Sequence, residues 1–293
     1  MAEAHRYRVD YECQLLSFLI SPAIGLPRKR AKDLLRFRAV TIQGRARTAS
    51  VRHDTELVPG DIVIVSTGKS ADPSKLERVG LEIIHLDDAI CVIDKPAGLL
   101  SMGSEREKER TAHRMLNEHL KALAKSAMQQ AFIVHRLDRE TSGLMMFART
   151  ESVQIALQRN WKSVTKKYFA IVEGTPACVE GTLKDHLMET RTFVVHRVAT
   201  GGELAITHYR VLKKCGENSL LELTLETGRK HQIRVQLAAI GHPIVGDRKY
   251  GAQSDPVRRL ALHSCELKFR HPTSGASIEF RSALPDGLKK LVR

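Results

Sequence analysis

The apolar residues of this chain come in short runs separated by turn residues, and Ala131–Ala148 constrains the fold most. Ala131–Val134 is apolar, His135–Ser142 is a polar knot, and Leu144–Ala148 is apolar again. The pattern reads as strand, tight loop, strand. A loop held between two strands lets a rigid scaffold present reactive groups. The knot carries a single aspartate, Asp138, beside Arg136, Arg139 and His135. Cations around a carboxylate favour its charged form, which suits a nucleophile better than a general acid. A structural Asp–Arg pair capping a turn is the other reading, and this stretch alone does not separate the two.

At 293 residues the chain exceeds one ordinary core, so two domains are expected. Hydrophobic residues at 42% and charged residues at 27% are those of a soluble globular protein. The net charge of +14 and pI near 9.7 call for a polyanionic partner, nucleic acid first. An anionic membrane competes, but no long basic amphipathic helix supports it. No run approaches the ~18 apolar residues of a membrane span. Met1–Asp10 is charged and polar, unlike a signal peptide. Cys13, Cys91, Cys178, Cys215 and Cys265 are scattered. That spacing excludes a finger-type zinc site and argues against a disulfide framework. A monomer in a reducing cytoplasm is expected.

Tyr11–Leu19 has helical apolar spacing. A second helix, Arg28–Arg38, turns Ala31, Leu34 and Leu35 inward. It carries Arg28, Lys29, Arg30, Lys32, Arg36 and Arg38 against one acid, Asp33. That excess reads as a phosphate-binding face, with a merely solvated surface as the alternative. Ala39–Gln43 and Ile62–Val65 read as strands. This order, with Val40-x-Ile42-x-Gly44 and Pro59-Gly60-Asp61-Ile62-Val63, resembles the S4 RNA-binding domain and assigns it to residues 1–66. The resemblance implies that the basic helix faces structured RNA. Residues 67–80 are small and polar and read as a linker. Gly68-Lys69-Ser70 imitates a phosphate loop, but Val63 stands where that pattern needs glycine, so no nucleotide cofactor is expected.

From Leu81 the chain is strand-rich. Leu81–Leu86 and Ile90–Ile93 suggest a hairpin, Thr111–Gln130 and Glu151–Trp161 helices, and Lys166–Gly174 a strand with Tyr168, Ala170 and Val172 on one face. Gly201-Gly202 predicts a hairpin turn between Val194–Ala199 and Leu204–Tyr209. A helix is expected from Lys230 to Gly241, with Ile233, Leu237 and Ile240 as its apolar stripe. Arg229 and Arg234 lie near its amino end, an anion site for a phosphate or for the Asp138 carboxylate. The βαβ alternation of a doubly wound fold is missing, so the class is α+β with a mixed, mainly antiparallel sheet.

Asp94-Lys95-Pro96-Ala97-Gly98-Leu99, His135–Leu144, Lys167–Gly174 and Thr227–Arg234 follow one another in the order of the RluA family of RNA pseudouridine synthases, and Gly241–Asp247 and Leu262-His263 continue its pattern. The chain resembles that family from Leu81 to Phe280, which implies a pseudouridine synthase domain over residues 81–293. The resemblance makes Asp138 the nucleophile, with neither metal nor ATP required. It makes Arg234 the partner of Asp138, Tyr168 the ring stacked on the base and a candidate for late proton removal from C5. Arg136 becomes the side chain that takes the place of the flipped nucleotide, Leu262 a wall of the uracil pocket, and Arg229 a secondary contact to RNA or site. His135, His231 and His242 are expected to be structural. Leu100-Ser101-Met102-Gly103 departs from the Val-His-Pro of many members, and is expected to lie away from the catalytic motif. Ribosomal RNA is the first substrate expected and tRNA the next. The rivals are a non-catalytic S4-type RNA-binding or ribosome-assembly protein, and an Asp-nucleophile hydrolase with Glu140 as its second carboxylate. Attack at C1′, addition at C6 and elimination through a glycal are all open to Asp138.

Affinity for structured RNA should fall linearly with salt on a double-logarithmic plot. Binding that is indifferent to salt between about 50 and 200 mM would remove the phosphate-face reading.

Overall fold

Contacts divide the chain into two units, Met1–Pro73 and Ser74–Arg293. The computed structural model describes residues 4–36, 40–43, 52–66, 76, 80–103, 107, 109–123 and 130–292. Arg38 and Gly68-Lys69-Ser70 lie outside the described residues.

In the first unit, β1 (Ala4–Arg8), β3 (Val40–Ile42) and β5 (Ile62–Ser66) form an antiparallel sheet with β5 central, while β2 (Cys13–Gln14) pairs with β4 (Glu56–Leu57). Helices α1 (Leu15–Ile20) and α2 (Arg28–Arg36) complete it. Leu15, Phe18, Leu19, Ala31, Leu34 and Leu35 pack with Val40, Ile42, Val63 and Val65. Burying positions 31, 34 and 35 of one helix turns Arg28 and Lys32 to solvent. Lys29, Arg30 and Arg36 belong to the same helix.

The second unit is built on one eleven-stranded sheet. Its strands are β6 (Glu82–Leu86), β7 (Ile90–Lys95), β8 (Phe132–Ile133), β9 (Ser142–Ala148), β10 (Thr165–Glu173), β11 (Glu180–Glu189), β12 (Val195–Val198), β13 (Glu203–Cys215), β14 (Asn218–Leu225), β15 (Leu262–Arg270) and β16 (Ser277–Arg281). The order is β12-β11-β13-β14-β10-β15-β9-β7-β6, with β16 on β15 and β8 on β9. All pairs are antiparallel except β9 with β15, so the fold is α+β with a mixed, mostly antiparallel sheet. The helices α3 (Ala112–Leu123), α4 (Glu151–Arg159), α5 (Gln232–Ala239) and α6 (Asp286–Lys289) accompany it.

Three local features aim the site. Every residue of β9 is buried, as an apolar strand covered on both faces must be. That fixes the exit of the Asp138 loop inside the sheet, between β15 and β7. On β10, Lys166, Tyr168 and Ala170 alternate inward, and a bulge against β15 falls between Lys167 and Tyr168. A bulge re-aims the side chain beside it. At the end of α5, Gly241 takes φ +83°, the left-handed closure expected of a C-terminal glycine.

Two expectations fail. Gly201-Gly202 does not close a hairpin, because β11 lies between its flanking strands, pairing His186 with Val198 on one side and Asp185 with Ala205 on the other. A Cβ on Gly202 would stand 2.7 Å from the Leu187 carbonyl oxygen. Glycine is there so that the chain can pass the end of β11. Ile240 is 37% exposed and outside the core, since α5 stops at Ala239 and buries Gln232 through Leu237 instead.

Gly143 holds the parallel contact. Its φ is +111°, and a Cβ there would lie 2.2 Å from the Ser264 carbonyl oxygen. Gly143→Ala is therefore expected to lower the folding free energy by about 3 kcal/mol. Urea denaturation checks this, and a change below about 0.5 kcal/mol would mean that β9 and β15 can part freely.

Candidate active site

The loop between β8 and β9 is fixed from behind by side chains far off in sequence. Ser101 Oγ donates to the Leu137 carbonyl (2.6 Å) and accepts from the Leu137 N–H (3.0 Å). Lys95 is fully buried, and its Nζ donates to the carbonyls of Pro96 (2.9 Å), Leu99 (2.8 Å) and Arg139 (3.1 Å). Burial pushes the Lys95 ammonium down to about 7, while the charges of Glu140 and Asp138 pull it the other way. Gly98 N–H also reaches the Arg139 carbonyl (2.8 Å), and Thr141 N–H closes a turn on the Asp138 carbonyl (3.2 Å). The Lys95–Gly98 turn is thus the fastener of the loop. Leu100–Gly103, expected to lie away from the catalytic motif, supplies Ser101 to the residue next to Asp138, because the turn before it leads the chain back under the loop.

Arg234 arrives from α5. Its Nε and Nη2 donate to the two carboxylate oxygens of Asp247 (2.7 Å each), and its Nη1 donates to Asp138 Oδ2 (3.4 Å). The guanidinium also lies 5.0 Å from the centre of the Tyr250 ring. His231 takes a left-handed backbone, φ +53°, at the start of the helix. Its Nε2 is 3.8 Å from Asp138 Oδ2 and its Nδ1 bonds Tyr250 Oη (2.7 Å). Burial first, then the neighbouring cations, push His231 down to about 4 against the pull of Asp138. The helix itself is pinned to β13: Gln232 Nε2 donates to the Ile206 carbonyl (3.0 Å), and Gln236 Oε1 accepts from Thr207 Oγ1 (2.7 Å).

Asp138, Tyr168, Arg234, Arg136, Leu262 and Arg229, the six catalytic and substrate-binding residues expected from the sequence, all line one pocket, joined by Leu137, Thr141, Leu225, Gly228, His231, Gln232 and Ile233. Burial raises the Tyr168 phenol well above its ordinary value, and the Asp138 charge adds to this. Leu262 is buried. Arg136 is exposed, with no hydrogen bond or ion pair among the described residues. Arg229 is steered by Glu203 (2.5 Å) and the Leu204 carbonyl (3.1 Å). Arg139 turns away to Glu107 (2.6 Å). Glu140 does not line the pocket; its charge acts on Lys95 and Arg259.

Sequence reasoning missed Asp247, Lys95, Ser101 and the position of His231. Asp247 and Lys95 stand inside motifs that were recognised, but no spacing rule ties either to its partner. His135 accepts the Met146 N–H at Nε2 (2.9 Å) and stacks on Trp161 at 4.5 Å, and burial pushes it down to about 3. Beneath the loop, Arg259 Nη2 donates to Ser142 Oγ (2.7 Å), which reaches His263 Nδ1 (2.9 Å). His263 Nε2 meets Ser282 Oγ (3.0 Å), which bonds Asp94. Burial and then Arg259 push His263 down to about 4.

A carboxylate steadied by an arginine and facing an aromatic and aliphatic slot is built for nucleophilic work on a flat ring. The profile of the family described as RNA pseudouridylate synthase matches residues 89–239. The ribosomal large subunit pseudouridine synthase D of Nitrosomonas europaea is 35% identical over 91% of this chain and 79% of its own. The enzyme of the same name from Vibrio cholerae is 33% identical over 90% of this chain and 85% of its own. The solved structure of human RNA pseudouridylate synthase domain containing 4 superposes with a TM-score of 0.61 at 26% identity, covering 73% of this chain and 91% of that one. The chain belongs to the RNA pseudouridylate synthase family.

Two desolvated histidines set an acid limit. His231 and His263 have folded values of about 4 against an ordinary 6.5. Between these values the unfolded chain binds protons that the folded chain refuses, so stability is full above about pH 6.5 and falls as pH drops toward about 4. Each histidine contributes up to about 1.4 kcal/mol per pH unit within that window. Urea denaturation at about pH 6.5, 5.5 and 4.5 checks this; a flat profile over the upper unit would mean that these rings charge freely.

Proposed function

We propose that this enzyme isomerises uridines of ribosomal RNA to pseudouridine, with Asp138 as the nucleophile. The observation that carries the reading is the Asp138 carboxylate 3.4 Å from Arg234 in a pocket shared with Tyr168 and Leu262. In the reaction the C1′–N1 bond breaks, the uracil turns, and C1′ bonds to C5. The C5 proton leaves and N1 gains one, so product and substrate are isomers. The names of the Nitrosomonas and Vibrio relatives support large-subunit ribosomal RNA as the substrate.

Each side chain has a part in this reading. Arg234 aims Asp138 by a charge-assisted contact. Tyr168 lays its ring against the base. Its buried phenol is neutral, so it takes the late C5 proton as it passes its own to solvent, from which N1 is protonated. Arg136, exposed and uncommitted, fills the stack where the target nucleotide has swung out. Leu262 walls the uracil and Arg229 meets RNA at the rim. The first unit acts as an S4-like RNA-binding domain through α2, with Arg28 and Lys32 on its solvent face, and a linker joins it to the synthase domain. The enzyme works as a monomer in the cytoplasm, where its free thiols stay reduced.

Tritium release from RNA labelled at uridine C5 tests the chemistry. Asp138→Asn should abolish release while RNA binding survives. Tyr168→Phe should keep the ring and the KM but lose about 100-fold or more in kcat. Chemical mapping of pseudouridine in cells with and without the gene tests the substrate; a ribosomal RNA unchanged at every site would sink the ribosomal assignment.

A further inference from the structure

The loop joining β11 to β12 runs from Thr190 to Val194. It is closed by Thr190 N–H on the Val194 carbonyl (2.8 Å) and Phe193 N–H on the Thr190 carbonyl (2.9 Å). Phe193 has φ +61°, a left-handed backbone that glycine or asparagine takes easily and a bulky side chain does not. Its side chain is 69% exposed, the most of any large hydrophobic among the described residues. A bulky apolar group is thus held in an unfavourable backbone without burial in return. Stability gives no reason for it, and strain of this kind gathers at binding sites.

Its surroundings define the ligand. Lys230 Nζ stands 5.2 Å from the ring centre while paired with Glu189. Lys249 Nζ donates to the Phe193 carbonyl (2.9 Å), and Arg191 is exposed in the same loop. An aromatic face among cations suits unpaired nucleic acid: a base stacks on the ring and the phosphates meet the charges. The loop is also tied to the reaction centre. Lys230 adjoins His231, whose ring is 3.8 Å from Asp138. Val195 N–H, at the foot of the loop, donates to Tyr250 Oη (3.3 Å), the hydroxyl that bonds His231.

We propose that Phe193 is a base-stacking residue that holds a nucleotide flanking the target uridine, with Lys230 and Lys249 beside it. This rests on the reading of the chain as acting on structured RNA. The test measures binding of a ribosomal RNA fragment in the full chain carrying Asp138→Asn, and tritium release in chains with Asp138 intact. Phe193→Ala should weaken Kd about 10-fold or more, with the loss in turnover appearing in KM more than in kcat. Phe193→Trp should hold Kd near that of the parent. Its added indole emission, read above the chain's single Trp161, should be quenched when RNA binds. Phe193→Gly relieves the backbone, so it should leave Tm unchanged or higher while weakening Kd as alanine does. An unchanged Kd in Phe193→Ala, or a lower Tm with unchanged Kd in Phe193→Gly, overturns the proposal. Absence of tritium release from the parent chain would instead refute the isomerase reading and leave the binding comparison intact.

Discussion

One arginine holds two carboxylates, and it holds them unequally. Arg234 is only 8% exposed, where an unpaired guanidinium would be strongly destabilising. Asp247 meets that demand with two parallel hydrogen bonds of 2.7 Å. The remaining arm reaches Asp138 at 3.4 Å, longer than the 2.7–2.9 Å of a tight charge-assisted bond. The difference in length is a division of labour. Asp247 stabilises the arginine, so Asp138 need not do so and its carboxylate stays open to the pocket. A carboxylate locked into a bidentate pair would be a poor nucleophile, and one with no cation near it would not be aimed.

The scaffold follows from the need to hold the two ends of that arm. On one side, α5 is fixed to β13 through Gln232 and Gln236, polar residues buried in a helix that has almost no solvent face. On the other, the Asp138 loop is held by Lys95 and Ser101, and Gly143 lets it enter the sheet at once. Most of these restraints are hydrogen bonds to backbone carbonyls and amides, and Lys95 brings the one charge among them. His135, His231 and His263 work in a similar way. Desolvation keeps each neutral, and each holds a fixed partner through the ring: the Met146 N–H, the Tyr250 hydroxyl, and the hydroxyls of Ser142 and Ser282.

What could be read in the sequence was what depends on local pattern. The strand–loop–strand around Asp138, the α5 boundary at Gly241 and the alternation that turns Tyr168 inward are each set by neighbours within a turn or two. The motif order then brought together Asp138, Tyr168 and Arg234, which lie far apart in the chain. Long-range partners were hidden. Asp247 sits in a turn that reads like any other Gly-Asp turn, and only the fold sets it against Arg234. Lys95 looks like a surface lysine next to a proline, yet three carbonyls converge on it. The threading of β11 between β12 and β13 was invisible because a Gly-Gly turn normally joins neighbours. The glycines serve here to clear a strand end.

The net charge of +14 therefore has two meanings that a count cannot separate. Lys95 and Arg234 are buried and Arg259 is half-buried, and all three are engaged with protein oxygens; they order the site and are not offered to a polyanion. Arg136, Arg28 and Lys32 are exposed and open to a polyanion. The cation of the pocket itself, Arg234, is already committed to Asp247. An anion that enters the pocket therefore meets an arginine whose two shortest hydrogen bonds are taken, while its third arm keeps the Asp138 carboxylate directed.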